Sequence, residues 1–393
     1  MDIRQQDAEL KESDVESAQH ETNFQEKDKS QSEQQPSGIN QDFTTSTDLR
    51  SQDSKLYEQK KYNTKQDSPP DSQEKPKMKL LGLSCGSKDG NSEILLKEAL
   101  MGAEELGVTV ELLRIDDLNI PSSSMELPLI ALTDDSAWFL EKVMECDALI
   151  ISAPVYSRSI PGQLKNLADQ IFGPRNDVAF KIKQRNTQDA EELPFTNAAI
   201  DGRLFKTRIG AFISVAGSNS PSWMSLSLPM MHTMTFSLQI AIVDQLQVTG
   251  YGLHGSVTLS DVTIKRARQL GRNVAEQIGC HFNDIVYKGN PGVCPGCHLD
   301  VIVIRDSFVE CAVCGTQNGK IKIEDSKITV QWPQEDRNKS ILELEGRRIH
   351  FHEIMEIAKC LTMQIDEISS RAKQYASYNR YVKPPKGKRT DLF

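Results

Sequence analysis

The sequence predicts an α/β fold in which a doubly wound, parallel five-stranded sheet is followed by a small β-rich module and a C-terminal helix. Three observations predict it. Apolar strand-like runs alternate with amphipathic helical patterns from Met78 to about residue 285. The run Asp147 to Ala153 is apolar on both faces, as in strands covered on both sides. Four cysteines form two C-x2-C pairs within residues 294–314.

Composition narrows the class of protein. The chain has 393 residues, 38% of them hydrophobic, so it can bury a full core and a second small one. Its formal net charge of -9 argues against nucleic acid as a partner of the whole protein. No segment reaches the ~18–20 apolar residues of a membrane span, and the N-terminus lacks a secretory pattern. We expect a soluble, cytoplasmic protein with no membrane partner.

The chain divides into four regions. Residues 1–77 are rich in Gln, Ser, Asp, Glu, Lys and Thr and contain no Trp or Cys, which predicts a disordered polar tail. The α/β domain is predicted over 78–285 and the cysteine-bearing β-rich module over 286–345. The last region, 346–393, is predicted to be helical from about His352 to Ala372 and to end in a basic tail.

The elements of the α/β domain follow from periodicity and turn signals. Strands are predicted at 78–84, 108–115, 147–153, 208–215 and 245–250. Helices are predicted at 92–106, 134–146, 161–172, 222–243 and 260–279. The polar stretch 174–207 is predicted to be a surface excursion, either a lid or an oligomer contact. The module has short β-like runs at 301–304, 321–323 and 328–330.

Three loops at predicted strand ends carry polar or aromatic residues suited to one ligand. In the first, small residues and glycines let backbone N–H groups close around a phosphate at a helix N-terminus. Its candidate ligands are Ser84, Gly86, Ser87, Asn91 and Ser92. The second offers a tyrosine that can stack on a flat ring, within Pro154, Val155, Tyr156, Ser157 and Arg158. The third is Ala216, Gly217, Ser218 and Asn219.

A phosphate pocket, a stacking wall and a polar edge together suit flavin mononucleotide (FMN). The first loop is neither a Walker P-loop nor a G-x-G-x-x-G turn, so it does not indicate ATP or a primary dinucleotide site. Chemistry on a flavin is carried by the cofactor, so no catalytic side chain is assigned.

The runs Gly82 to Leu100 and Cys146 to Asp169 resemble the NADPH-dependent FMN reductase and iron–sulfur flavoprotein families. The resemblance covers roughly residues 78–280 and implies a flavodoxin-like fold, bound FMN and reduction by NAD(P)H. It also implies a homo-oligomer, either a dimer or a tetramer. The expected acceptor is a small molecule: a quinone, a free flavin or an activated natural-product intermediate.

One departure from the iron–sulfur flavoproteins concerns their cluster. Those proteins carry a compact set of cysteines after the second strand, where this chain has Ile120-Pro-Ser-Ser-Ser124. Serine hydroxyls are poor ligands for iron–sulfur clusters. The sequence therefore favours a plain flavin oxidoreductase over a cluster-bearing electron carrier.

The two C-x2-C pairs predict a metal site. Each pair presents two thiolates along one edge of a tetrahedron, and the span between the pairs brings the two edges together. The predicted ligands are Cys294, Cys297, Cys311 and Cys314, and the module resembles a zinc ribbon. Zinc in a closed four-cysteine shell would be structural. Iron in a rubredoxin-like site is the open alternative.

Other interpretations stay open. Gly82-Leu-Ser-Cys-Gly86 fits the G-x-S-x-G nucleophile elbow of hydrolases, with His254 or His281 as base and Asp244 or Asp261 as its partner. A flavodoxin-like electron-transfer or assembly module, acting through its zinc ribbon, is the runner-up function. Three residues have two interpretations each: Cys85 is a reactive thiol or a small filler, and Trp223 and His232 line an acceptor pocket or belong to the core.

Overall fold

The computed structural model describes residues 77–120, 134–172, 176–181 and 201–382. The predictions of a disordered tail, a basic C-terminal tail and most of the 174–207 excursion fall outside these residues, as do Ser122 to Ser124. Within the described residues no helix is long and apolar enough to cross a membrane.

An α/β layer comes first in the chain and two small hairpins follow it. The strands of the first sheet are β1 (Lys79–Ser84), β2 (Thr109–Arg114), β3 (Ala148–Pro154), β4 (Arg208–Val215) and β5 (Ile240–Val248). Its helices are α1 (Asn91–Glu104), α2 (Ser136–Glu145), α3 (Gly162–Ile171), α4 (Ser227–Thr235) and α5 (Asp261–Ala275). The hairpins are β6 (Ile302–Ile304) with β7 (Val309–Cys311), and β8 (Lys320–Glu324) with β9 (Lys327–Gln331). The last helices are α6 (Gln334–Arg337), α7 (Leu344–Thr362) and α8 (Ile365–Ala372).

The five-stranded sheet is parallel throughout, in the order β2-β1-β3-β4-β5. This is the flavodoxin-like order, and it confirms the predicted fold class. The strand order reverses between β1 and β3, which makes their carboxyl ends the switch point where such sheets bind ligands. Ser84 and Ser152 pair across that point.

Each face of the sheet is covered by helices, as the apolar runs predict. On one face, Phe139 of α2 and Leu164 of α3 pack against the strands. On the other face, α1 and α5 lie so close that their backbones touch at two glycines. A Cβ added to Gly102 would collide with the carbonyl of Arg268, and one added to Gly271 with that of Ala99. These helices hold the start of α1, and therefore the first loop, against the sheet.

The fifth strand begins earlier than predicted. The sequence predicts helix over 222–243 and a strand at 245–250, whereas α4 ends at Thr235 and β5 begins at Ile240. Gln239 adopts a left-handed conformation with φ of 54°, which ends the short helical turn after α4. The β-branched run that follows fits a buried strand as well as a helix, so periodicity alone does not separate the two.

The C-terminal helix also begins earlier than predicted, at Leu344 rather than about His352, and a turn at Met363 and Gln364 separates α7 from α8. Gly346 lies within the first turns of α7, a position that reads in sequence as a helix breaker. In the structure its missing side chain allows close contact with the carbonyl of Ser340.

The cysteine-bearing module packs on one face of the α/β layer. Leu299, Val313 and Trp332 of the module share a core with Phe212 of β4 and Met231 of α4. Its paired short strands and cysteine cluster agree with the predicted zinc-ribbon-like module.

Candidate flavin site and metal centre

The first loop closes tightly over the switch point. The amide of Cys85 donates to the carbonyl of Ser152 at 2.8 Å, and the Ser152 hydroxyl donates to the carbonyl of Ser92 at 2.7 Å. A Cβ added to Gly86 would lie 3.2 Å from the Ser92 side chain and 3.4 Å from Pro154. Little room is left for side chains, so the lining of this loop is mostly backbone.

Ser84 supplies a polar group that the described residues leave without a hydrogen-bond partner. It ends β1, its side chain is fully buried, and its hydroxyl lacks any such partner there. A buried hydroxyl without a partner costs about 1–3 kcal/mol. A ligand oxygen at the start of α1 would satisfy it, as the sequence-based assignment of Ser84 to a phosphate site expects.

Glu93, in the first turn of α1, is anchored by two cations. Its buried carboxylate accepts from Arg114 at 2.6 and 2.9 Å and pairs with Lys97 at 2.7 Å. Hydrogen bonds from Arg114 lower the pKa of Glu93 to about 2. The carboxylate is thus neutralised by neighbours, and it ties the start of α1 to the end of β2.

Asn91 is placed differently from its predicted role. Its amide nitrogen donates to the carbonyls of Tyr251 and Leu253 at 2.8 and 2.9 Å, and its oxygen accepts from the amide of Val257 at 3.0 Å. These bonds are made to the loop after β5 and to the short helical turn Ser256–Leu259 that follows it. Asn91 therefore joins two loops of the edge instead of offering a free amide to phosphate.

This fourth loop, residues 249–255, is absent from the sequence-based site. Its glycines allow close approach: a Cβ on Gly217 would lie 2.9 Å from the Cα of Gly252. His254 also bonds the carbonyl of Lys88 in the first loop at 2.9 Å. The run Gly250-Tyr-Gly-Leu-His-Gly255 directly after a strand was the signal that could have identified it.

The second loop forms a tight turn. Tyr156 and Ser159 exchange backbone hydrogen bonds of 2.9 and 3.0 Å, and Ser157 and Arg158 have φ of 48° and 70°, the pattern of a type I′ turn. The Tyr156 ring is 59% exposed, so it is not a core residue. Pro154 and Val155 lead into the turn, and the amide of Val155 donates to the carbonyl of Val215 at 2.8 Å.

Arg158 connects the second loop to the segment after the third. Its guanidinium donates to the carbonyl of Ser222 at 3.0 Å and to the hydroxyl of Ser225 at 2.9 Å. Trp223, between those two residues, is half exposed. Trp223 therefore stands beside the turn that carries Tyr156.

The third loop is held by the fourth. Ala216 donates to the carbonyl of Val248 at 2.8 Å and accepts from the amide of Tyr251 at 3.2 Å. The carbonyl of Ser218 accepts from Gly250 at 3.1 Å, and the Asn219 side chain lies against the same glycine. Gly217 completes the close pair with Gly252. All three predicted loops are thus brought together at one edge of the sheet.

Several alternatives do not fit these contacts. His232 is buried and its Nε2 donates to the amide oxygen of Gln245 at 3.0 Å, so it is a core residue rather than part of an acceptor pocket. Burial raises the pKa of the Cys85 thiol, which makes it a filler rather than a nucleophile. The hydroxyl of Ser84 has no histidine partner among the described residues, and Asp244 bonds Arg266 and Asn273. A hydrolase triad is therefore not assembled there.

The four cysteines of the module form a compact cluster. All four side chains are buried, and their sulfur atoms lie within 4.8 Å of one another. The sulfur atoms of Cys294 and Cys314 are 3.4 Å apart and those of Cys297 and Cys311 are 3.5 Å apart, too far for disulfides. Four thiolates at about 2.3 Å from one zinc ion would be roughly 3.8 Å apart. The donor set therefore fits a tetrahedral metal ion.

Gln245 of β5 joins this cluster to the sheet. Its amide nitrogen donates to the carbonyls of Cys297 and His298 at 3.0 and 3.2 Å, and its oxygen contacts His232. His298 in turn stacks on Tyr287, with 3.6 Å between ring centroids. The first cysteine pair is therefore fixed on the sheet by a buried polar network that the sequence did not reveal.

Comparison with known proteins agrees with the fold. The family model for NADPH-dependent FMN reductase matches residues 78–249. A flavone synthase of Aspergillus candidus is 32% identical over 294 residues, covering 70% of this chain and 88% of that protein. An iron–sulfur flavoprotein of Methanocaldococcus jannaschii is 23% identical over 216 residues, covering 51% and 97%. A solved flavone reductase has 29% identity and a TM-score of 0.66, covering 78% of this chain and 100% of that chain.

The sheet order, the loops at the switch point and these similarities define the class: a flavodoxin-like flavin oxidoreductase. Within it, the chain belongs to the NADPH-dependent FMN reductase family, which confirms the resemblance found in the sequence. The protein is therefore an enzyme that uses FMN and NAD(P)H and acts on small molecules.

Proposed function

We propose that the protein transfers hydride from NAD(P)H, by way of FMN, to a flat aromatic ketone of the flavone type. The observation that carries this proposal is the edge of the sheet where four loops meet. There Tyr156 and Trp223 are both exposed, and Arg158 joins the turn that carries Tyr156 to the segment that carries Trp223. Solvent-exposed aromatic side chains can stack on a flat aromatic ligand, so they favour a ligand of that kind. The names of two relatives, flavone synthase and flavone reductase, support the flavone class.

In this proposal the chain binds and orients, and the bound flavin supplies a ring that accepts hydride and passes it on. Backbone amides of the first loop and the hydroxyls of Ser84, Ser87 and Ser92 hold the phosphate at the positive end of α1. Asn91 acts indirectly, by fixing the fourth loop. The segments Pro154 to Arg158 and Ala216 to Asn219 would frame the ring.

Reduction of a flavone adds hydride to the carbon β to its ketone and a proton to the α carbon, which gives a flavanone. Quinones and free flavin, the acceptors suggested by the sequence, accept two electrons on a similarly flat conjugated system. The acceptor side of the edge is formed by Tyr156, Trp223 and the exposed Leu253. These side chains would cover the ring face and reduce its contact with water.

The test begins with the absorption spectrum of the purified protein. We expect a flavin spectrum that bleaches when NADPH is added without oxygen, and reoxidation when a flavone is then supplied, with a flavanone as product. Menadione and free FMN serve as comparison acceptors. A protein that binds no FMN would contradict the cofactor assignment. Bleaching followed by no turnover with any small acceptor would favour the electron-transfer or assembly alternative.

We further propose that the four-cysteine cluster holds one structural zinc ion. The support is the closed, buried set of four thiols, which leaves no position for a substrate. Metal analysis should give about one zinc per chain. A red protein with about one iron per chain would instead identify the rubredoxin-like alternative.

A further inference from the structure

Arg158 occupies a position in the second loop that is usually taken by glycine. Its φ of 70° makes it the third residue of the type I′ turn, where Asn-Gly is the favoured central pair and a side chain strains the backbone. Strain of this kind is found mostly at functional sites, where the side chain has a use that offsets it. The arginine at this position is therefore a candidate for a functional side chain.

The guanidinium of Arg158 is exposed, yet two hydrogen bonds hold it in place. Nε donates to the carbonyl of Ser222 at 3.0 Å, and Nη2 donates to the hydroxyl of Ser225 at 2.9 Å. The Ser225 hydroxyl in turn donates to the same Ser222 carbonyl at 3.0 Å. That carbonyl belongs to the peptide bond that joins Ser222 to Trp223. The charge is thus fixed beside the backbone of Trp223 and two residues from Tyr156, on the acceptor side of the edge.

The positive charge of Arg158 is not neutralised by any carboxylate of the described residues. A partly exposed arginine elsewhere, Arg203, pairs with Glu141 at 2.6 Å. The four loops of the edge contain a single carboxylate, Asp89, and it pairs with Lys97 at 2.7 Å. Nη1 of Arg158 makes no hydrogen bond to the described residues, so both of its N–H groups are left for a ligand.

Reduction of a conjugated ketone creates a negative charge on the ketone oxygen. Hydride bonds to the β carbon, the π electrons of the carbon–carbon double bond shift toward the carbonyl, and the oxygen becomes an enolate. A proton from water then adds to the α carbon and restores the C=O bond. A cation that is already fixed beside the oxygen stabilises the transition state in which this charge develops.

We infer that Arg158 binds the carbonyl oxygen of the acceptor through Nη1 and stabilises the enolate that forms on hydride transfer. This inference rests on the proposed reduction of a conjugated ketone. Tyr156 and Trp223 stack on the flat rings, and the guanidinium between their two segments contacts the oxygen at the ring edge. The other basic side chains of the four loops are Lys88, in the phosphate loop, and His254, which bonds the Lys88 carbonyl. Arg158 is therefore the cation that these loops place on the acceptor side.

The test compares Arg158→Gly with the wild-type protein, both carrying FMN and metal. Glycine suits the left-handed turn, so the variant should keep the path of the second loop. After anaerobic reduction by NADPH, each protein is mixed with flavone or with hexaammineruthenium(III), a cationic acceptor that takes single electrons and forms no oxyanion. Rates of flavin reoxidation are taken per bound FMN.

We expect the substitution to slow reoxidation by flavone at least about tenfold more than reoxidation by the ruthenium complex. Oxyanion donors in closed active sites contribute about 100-fold or more, and the effect is smaller here because Arg158 is exposed to water. Loss of a positive charge does not by itself slow the reaction with a cationic acceptor. A distorted loop would instead slow both reactions alike.

Two further measurements separate a contact with the acceptor from support of the loop. Guanidinium chloride, added below the concentrations that unfold the protein, should restore part of the flavone reaction in Arg158→Gly. Arg158→Lys should retain more of the flavone reaction than Arg158→Gly, because it keeps the charge. The matched control is Arg380→Gly, which removes an exposed arginine outside the four loops and should leave both reactions at the wild-type rate.

The outcomes distinguish this inference from the proposed function. Equal slowing with both acceptors, or no slowing with either, would overturn the role of Arg158. A wild type that reduces menadione but not flavone would refute the flavone class alone. The same comparison would then be made with menadione, whose carbonyl oxygen also becomes an anion. A wild type that reduces the ruthenium complex but neither carbonyl acceptor would refute both proposals.

Discussion

The two candidate ligand sites of this protein differ in composition: the metal centre is formed by side chains and the flavin edge mainly by backbone. The metal centre consists of four buried side chains whose sulfur atoms lie within 4.8 Å of one another. The flavin edge consists of four loops whose closest contacts are between backbones, such as Gly217 against Gly252. The metal centre therefore depends on which residues are present, whereas the flavin edge depends on the backbone conformation of its loops. Single substitutions should therefore affect the two sites in different ways.

The largest effect is expected at the metal centre. Cys297→Ser removes one of four ligands from a closed shell, and zinc content should fall from about one per chain to below about a tenth. Because loss of a structural metal is among the few changes that exceed about 4 kcal/mol, thermal unfolding should shift strongly. Cys360→Ser, at an exposed helical cysteine, is the control and should leave both measurements unchanged. Full zinc retention in the Cys297 variant would mean that the cluster is not the metal site.

The contact between the sheet and the cysteine-bearing module, where His232 lies, should make the free energy of unfolding depend on pH. Burial lowers the pKa of His232 to about 4, against about 6.5 in an unfolded chain. The unfolded state therefore binds the proton more readily, and the free energy of unfolding should fall as pH drops from 6.5 toward 4. Between pH 7.5 and 5 the loss is about 2 kcal/mol. In urea unfolding, the free energy of unfolding of His232→Asn should depend less on pH than that of the wild type. The control His254→Asn, at an exposed histidine, should keep the pH dependence of the wild type. Equal pH dependence in the wild type and in His232→Asn would refute the assignment.

A smaller effect is expected where two backbones meet at the flavin edge. Gly217→Ala places a Cβ 2.9 Å from the Cα of Gly252, so the third and fourth loops must separate. We expect the dissociation constant for FMN to rise about tenfold, which corresponds to about 1.4 kcal/mol of binding free energy, while the zinc content stays unchanged. Gly162→Ala, where an added Cβ meets nothing within 4 Å, is the matched control. Unchanged FMN affinity in the Gly217 variant would remove this loop from the cofactor site.

The smallest effect is expected for a single side chain of the phosphate loop. Ser87→Ala removes one exposed hydroxyl while the backbone amides stay in place. FMN titration should show only a few-fold weakening, below about 1 kcal/mol. A loss as large as that of Gly217→Ala would show that this edge, like the metal centre, depends on side-chain identity.

The same difference explains what could be predicted from the sequence. Cys294 to Cys314 were identified from residue type and spacing alone, and the parallel sheet followed from apolar runs. The path of the fourth loop was not predictable, because its contribution depends on Asn91 reaching across to it over 160 residues of chain. The start of β5 was missed because a left-handed Gln239 leaves no clear signature, and the role of Gln245 required knowing where the module docks.

The hydrogen bonds from Arg158 to Ser222 and Ser225 bear on how easily mutation could change the acceptor that the enzyme uses. They hold Ser222 and Ser225 on either side of Trp223, so the Trp223 ring lies on a segment that is fixed by the second loop and not by the phosphate loop. We therefore expect substitutions of Trp223 to leave the phosphate loop unchanged. Directed evolution toward new acceptors should therefore find productive changes at Trp223 and its neighbours.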